Sequence, residues 1–80
     1  MKVKVKYYAS LREKANLGME VLEIDNKISL QNLYVSLAKK YQFPYELYEI
    51  KFAVNNEYVD DQFVLKENDE LVFIPPVAGG

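Results

Sequence analysis

Asn56-Glu57-Tyr58-Val59-Asp60-Asp61-Gln62-Phe63-Val64-Leu65-Lys66-Glu67-Asn68-Asp69-Glu70 decides the architecture of this chain by what it cannot form. Asn56, Asp60, Asp61, Asn68 and Asp69 are turn formers whose short polar side chains compete with helical backbone bonds. They recur too often for a full helix. Tyr58-Val59 has the length of a short edge strand, and Phe63 and Leu65 suit a loop plugged into a core. Glu67-Asn68-Asp69 reads as a turn that draws on the tolerance of Asn and Asp for left-handed backbone.

Working outward, Leu71-Val72-Phe73-Ile74 is a closing strand, with Leu71 and Phe73 on one face and Val72 and Ile74 on the other. On the other side, Phe52-Ala53-Val54 is a strand that turns at Asn55-Asn56. Further upstream, Ser29 caps a helix whose Leu30, Leu33, Tyr34, Leu37, Ala38 and Tyr41 form one apolar stripe over three turns. Lys39 and Lys40 suit its negative pole, and Pro44 blocks continuation. Phe43, Tyr45 and Tyr48 read as an aromatic lid on the core.

At the start, Lys2-Val3-Lys4-Val5-Lys6-Tyr7 alternates as a half-buried strand ending near Ala9. Ser10-Leu11-Arg12-Glu13 has capping-box spacing, predicting a short helix to about Asn16 with Gly18 as its left-handed stop. Met19 to Asp25 follows as a strand with Leu22 and Ile24 on one face. Glu23 and Asp25 on the other face are expected to pair with the lysines of the first strand.

Strand, strand, helix, strand, short strand, strand is the plan of a β-grasp (ubiquitin-like) α+β domain. A mixed sheet of four to five strands wraps one main helix, with the first and last strands central and parallel. A ferredoxin-like arrangement needs a second full helix, which residues 56–70 do not provide. Residues 1–76 are expected to form this domain and 77–80 an extended tail.

The charge is −2 with a pI near 5.0, giving no reason to expect nucleic acid. Residues 1–40 carry eight Lys/Arg against four Asp/Glu (+4), and residues 41–80 two against eight (−6). Cysteine and histidine are absent, excluding a disulfide framework, a thiol nucleophile, a Cys/His zinc site and imidazole catalysis. The acids at 60, 61, 67, 69 and 70 lack the spacing and central glycine of a calcium loop, so no metal site is expected. The glycines at 18, 79 and 80 make no phosphate loop. No stretch approaches the ~18 apolar residues of a membrane span, and the cytoplasm is the expected location.

The chemistry left over is at the end. Ile74-Pro75-Pro76 favours extended backbone, and Val77-Ala78-Gly79-Gly80 is a slim run that carries the terminal carboxylate away from the body. Four extended residues reach about 13–14 Å. The Gly80 carboxylate, ionised at neutral pH, resists nucleophiles until an adenylyl group makes one oxygen a leaving group. With no nucleotide site in the chain, that activation is expected in a partner.

Phe73-Ile74-Pro75-Pro76-Val77-Ala78-Gly79-Gly80 resembles the C-terminal signature of the molybdopterin synthase small-subunit family of ubiquitin-like sulfur carriers. Tyr7-Tyr8-Ala9-Ser10-Leu11-Arg12-Glu13 resembles that family's aromatic-Ala-x-x-Arg-Glu opening, and Ala53-Val54-Asn55 and Asn68-Asp69-Glu70 match its middle. Two departures stand out: Asn68 replaces a usual Gly, and Tyr7 and Tyr8 replace frequent Phe. Thiamine-pathway sulfur carriers share the fold and Gly-Gly but typically lack the Phe-x-Pro-Pro run.

The resemblance implies that a ubiquitin-activating-type adenylyltransferase, using ATP and Mg, adenylates Gly80, and that a sulfur donor converts the adenylate to a thiocarboxylate. It implies a large synthase subunit that takes the tail, in a heterotetramer, and a cyclic pyranopterin phosphate as acceptor. Catalytic groups are then expected on that subunit. Tyr8, Tyr58, Val72 and Ile74, with Pro75 and Pro76, are expected to form the docking patch. A thiamine-pathway carrier, a lysine-conjugated modifier and a β-grasp module with an inert tail are the alternatives.

Overall fold

Val3 and Val5 turn inward from β1 (Lys2–Lys6), and Tyr7 continues their parity into the core, as lysine–valine alternation requires. The computed structural model describes residues 1–76. After β1 come α1 (Ala9–Ala15), β2 (Met19–Glu23), α2 (Leu30–Tyr41), a 3₁₀ turn at Leu47–Glu49, β3 (Lys51–Val54), β4 (Glu57–Val59) and β5 (Glu70–Ile74). The sheet order is β2-β1-β5-β3-β4, with β1 and β5 parallel and every other pair antiparallel. This is the β-grasp plan, in five strands.

One face of the sheet packs on α2. Leu30, Leu33, Tyr34 and Leu37 of its stripe are buried with Phe52, Val54, Leu71 and Phe73, while Ala38 and Tyr41 stay half-buried at the margin. Phe73 sits at the centre, edge-on to Tyr34 (5.1 Å between ring centroids) and to Phe52 (5.8 Å). Ser29 caps α2 by accepting from the Asn32 amide at 3.0 Å, and Gln42 ends it in left-handed backbone before Pro44 is reached.

Residues 56–70 hold no helix. Asn55 and Asn56 make the β3–β4 turn with φ of 52° and 71°, and Asn68 takes φ 69° before β5. The two turns are laced together: the Asn55 side chain donates to Asp69 (2.9 Å) and accepts from the Glu70 amide (3.0 Å). Leu65 is buried and Phe63 packs against the core margin.

Several local expectations are corrected. β1 ends at Lys6 rather than near Ala9, because Tyr8 already serves as the N-cap of α1 and Ala9 turns the chain at φ 50°. Ser10 therefore lies inside the helix and caps nothing; its hydroxyl meets the Tyr45 hydroxyl at 2.9 Å. Asn16, not Gly18, supplies the left-handed stop, since Asn adopts that conformation at little cost. β2 ends at Glu23, and Asp25 instead accepts from the Lys27 amide in a local turn. Glu23 lies 3.9 Å from the Met1 ammonium, and Lys6 pairs with Glu70 on β5 at 2.7 Å. Phe43 lids the core as expected, but Tyr48 is 86% exposed on the 3₁₀ turn and lids nothing.

Candidate functional site

The open face of the sheet is set by the residues that alternate with the core. Register places Lys6 beside Val72, Val72 beside Ala53, and Ala53 beside Tyr58. One step toward the end of β5, Ile74 lies beside Lys51. Val72 and Ile74 are half-buried, as expected for central-strand residues facing outward.

Pro75 and Pro76 follow directly, and proline keeps that backbone from curling into a helix. Tyr58, Ile74, Pro75 and Pro76 line one groove of about 270 Å³, closed at its sides by Glu49 and Lys51. Tyr58 is 75% exposed there, a large apolar ring held out by a three-residue edge strand. Four of the expected patch residues thus converge. Val72 is one register step behind the groove, and Tyr8, 52% exposed, follows β1 two residues beyond the Lys6–Val72 pair. Val77, Ala78, Gly79 and Gly80 lie outside the described residues.

The ion pair behind this patch tunes itself. The Lys6–Glu70 hydrogen bond raises the Lys6 pKa and lowers that of Glu70, so both stay charged across the neutral range. Glu49, Lys51 and this pair went unremarked in the sequence. Lys51 shares the outward parity of Ala53, a signal that was present, whereas Glu49 arrives through a 3₁₀ turn that no periodicity announces.

On the core face, at the β1–β2 side of the sheet, the Tyr7 hydroxyl (2.6 Å) and the Tyr41 hydroxyl (2.7 Å) both donate to one oxygen of Glu20. Burial and then the Glu20 bond push the Tyr7 pKa well up, which keeps the phenol protonated. The bonds pin β2 and α2 to the residue that immediately precedes Tyr8. Among the described residues, no group of three or more Asp or Glu side chains is placed to hold a metal, and no helix is long and apolar enough to cross a membrane.

The ThiS family model matches residues 5–80. The molybdopterin synthase sulfur carrier subunit of Mycobacterium tuberculosis is 34% identical over 100% of this chain and 99% of its own. That of Drosophila melanogaster is 33% identical over 98% and 90%. The solved complex of subunits 1 and 2 of the molybdopterin-converting factor from Helicobacter pylori contains a chain with 26% identity and a TM-score of 0.69, covering both chains fully. This chain belongs to the ThiS family of ubiquitin-like sulfur carriers, among the molybdopterin synthase sulfur carrier subunits.

Proposed function

We propose that the chain is the small, sulfur-donating subunit of a molybdopterin synthase, with the Gly80 carboxylate as its working group. The observation that carries this reading is the convergence of Tyr58, Ile74, Pro75 and Pro76 where β5 hands over to residues 77–80. Relatives named as sulfur carrier subunits over nearly their whole length support it.

In this reading a Gly80 oxygen attacks the α-phosphate of ATP in a ubiquitin-activating-type adenylyltransferase, releasing pyrophosphate. ATP and Mg belong to that enzyme, and the carrier itself holds no cofactor. Sulfide then attacks the acyl carbonyl of the adenylate and AMP leaves with the C–O bond electrons, which yields the thiocarboxylate with no change of oxidation state; a persulfide donor would instead give an acyl disulfide that a thiol reductant must cleave. The large synthase subunit receives the tail, the thiocarboxylate sulfur attacks a carbon of a cyclic pyranopterin phosphate, and water then cleaves the acyl–sulfur bond, leaving the sulfur on the acceptor and returning the Gly80 carboxylate. Acid–base groups for that step are assigned to the large subunit, because the tail it receives, Val77-Ala78-Gly79-Gly80, carries no ionisable side chain. A dithiolene holds two sulfurs, so two charged carriers serve each product, in keeping with a heterotetramer. The cytoplasm is the proposed setting.

The open-face patch gives the docking surface: Tyr58 and Ile74 as apolar anchors, Tyr8 and Val72 flanking them, and Pro75 and Pro76 aiming the tail. The test is removal of Gly79-Gly80. The shortened chain should keep its melting temperature and lose all sulfur transfer in a reconstituted reaction with activating enzyme, sulfide and large subunit. Transfer by the shortened chain would refute the proposal.

A further inference from the structure

At the far end of the sheet from the tail groove, β2 is an edge strand with its backbone half unpaired. The Tyr7 amide donates to the Gly18 carbonyl (2.9 Å) and the Ile24 amide to the Met1 carbonyl (2.8 Å). Alternation along an antiparallel ladder then commits residues 18, 20, 22 and 24 to β1. The N–H and C=O groups of Met19, Val21 and Glu23 consequently point to the open side. Met19 and Val21 are 46% and 58% exposed.

Directly beside that edge, between β2 and α2, runs a groove of about 330 Å³. Its floor is apolar, built from Leu22, Ile24, Ile28, Leu33 and Leu37. Its two ends differ in charge. The Tyr41–Glu20 hydrogen bond brings the end of α2 to the start of β2, so Lys40 marks one end, while Glu23 and Asp25 mark the other. Among the described residues nothing covers it.

We propose that this edge and groove form a second docking site, for an extended strand of a partner polypeptide that is apolar at alternate positions, basic beside Glu23 and Asp25, and acidic beside Lys40. An added strand would pair with the outward groups of Met19, Val21 and Glu23 and drop every second side chain onto the Leu22–Leu33–Leu37 floor. Antiparallel addition gives the stronger ladder, which places the basic residue at the incoming strand's N-terminal end. A second copy of this chain fits worse. Pairing β2 with itself about Val21 sets each Glu23 opposite Met19 and each Glu20 opposite Leu22 of the other copy, so neither carboxylate meets an opposite charge across the seam. The site is independent of the tail, since it occupies the opposite sheet edge from Tyr58.

The probe is the blocked hexapeptide Lys-Val-Thr-Val-Thr-Glu, titrated into isotope-labelled full-length chain, with its charge-swapped twin Glu-Val-Thr-Val-Thr-Lys as control. Backbone amide shifts should concentrate at residues 19–25 and 33–40. The swapped peptide should bind roughly tenfold more weakly, and the E23Q/D25N double variant should weaken the first peptide by about three- to tenfold with an unchanged melting temperature. Val21→Pro, which removes an outward amide at an edge position that tolerates proline, should lower affinity further. Equal affinity for both peptides, shifts centred on Tyr58 and Ile74, or no shifts at all would overturn the proposal. Concentration-dependent shifts of β2 without peptide would overturn it in favour of self-association.

Discussion

Glu20→Leu should be among the most damaging single changes outside the apolar core. Both phenol hydroxyls that reach Glu20 donate to the same oxygen, Tyr7 at 2.6 Å and Tyr41 at 2.7 Å. A hydrogen bond to a charged acceptor contributes roughly 1.5–3 kcal/mol, and a buried hydroxyl left without a partner costs about 1–3 kcal/mol. Tyr7 is buried and cannot turn to water, whereas Tyr41 is half-buried and can. The leucine side chain recovers about 1 kcal/mol by covering apolar surface. The net loss should be about 2–3 kcal/mol, a large share of the ~5–15 kcal/mol that holds a domain folded. In an 80-residue chain that corresponds to a drop in melting temperature of about 10–20 °C. Thermal unfolding followed by circular dichroism on E20L, E20Q, Y7F and Y7F/E20L separates the contributions. E20Q keeps an acceptor and should lose only about 1 kcal/mol. Y7F/E20L should be no less stable than E20L alone, a coupling of about 1–2 kcal/mol. A loss below about 0.5 kcal/mol in E20L, or strictly additive single variants, would refute the account of the Tyr7–Glu20–Tyr41 bonds.

Three further outcomes are expected. Ile74→Asp should weaken binding to the large subunit at least tenfold by calorimetry while the domain still melts cooperatively, because the side chain faces the groove rather than the core; unchanged affinity removes Ile74 from the patch. Asn68→Gly should be neutral or add up to about 1 kcal/mol and Asn68→Ala should cost about 1 kcal/mol in chemical denaturation, since φ is 69° there; equal stabilities would contradict the turn geometry. Burial, with Glu49 and Glu46 nearby, pushes the Tyr34 pKa up to about 12, and Tyr7 is shifted in the same direction. A raised folded-state pKa leaves stability intact below the ordinary tyrosine value near 10 and removes it as pH climbs from there toward 12. Melting temperature should fall across that window, less steeply in Y34F, and an equal slope in both chains would count against it.

The sheet and its main helix were legible because burial there follows simple periods. Leu30, Leu33, Tyr34 and Leu37 recur at helical spacing, and Leu71 and Phe73 alternate with Val72 and Ile74, so parity alone separates core from open face. The density of turn formers in 56–70 ruled out a second full helix there correctly. What failed was local. Ser10 has the spacing of a cap, but Tyr8 is already in extended backbone at the helix start, and the serine hydroxyl is taken by Tyr45, 35 residues away. Glu20 shows the same limit from the other side. Strand parity puts it on the face of Leu22, where a carboxylate is acceptable only because two distant tyrosines meet it. In the candidate site, Tyr58, Ile74, Pro75 and Pro76 followed from parity and proximity to the tail. Glu49 did not, since the turn that brings it there is closed by a capping box between Glu46 and Glu49 rather than by any apolar pattern.

The central claim is chemical, and intact mass spectrometry reads it directly. The full chain, incubated with an adenylyltransferase of the ubiquitin-activating type, ATP, Mg and sulfide, should gain the mass of one sulfur less one oxygen, with fragmentation placing the change on Gly80. A chain that keeps its mass while a known carrier in the same mixture gains it would contradict the account.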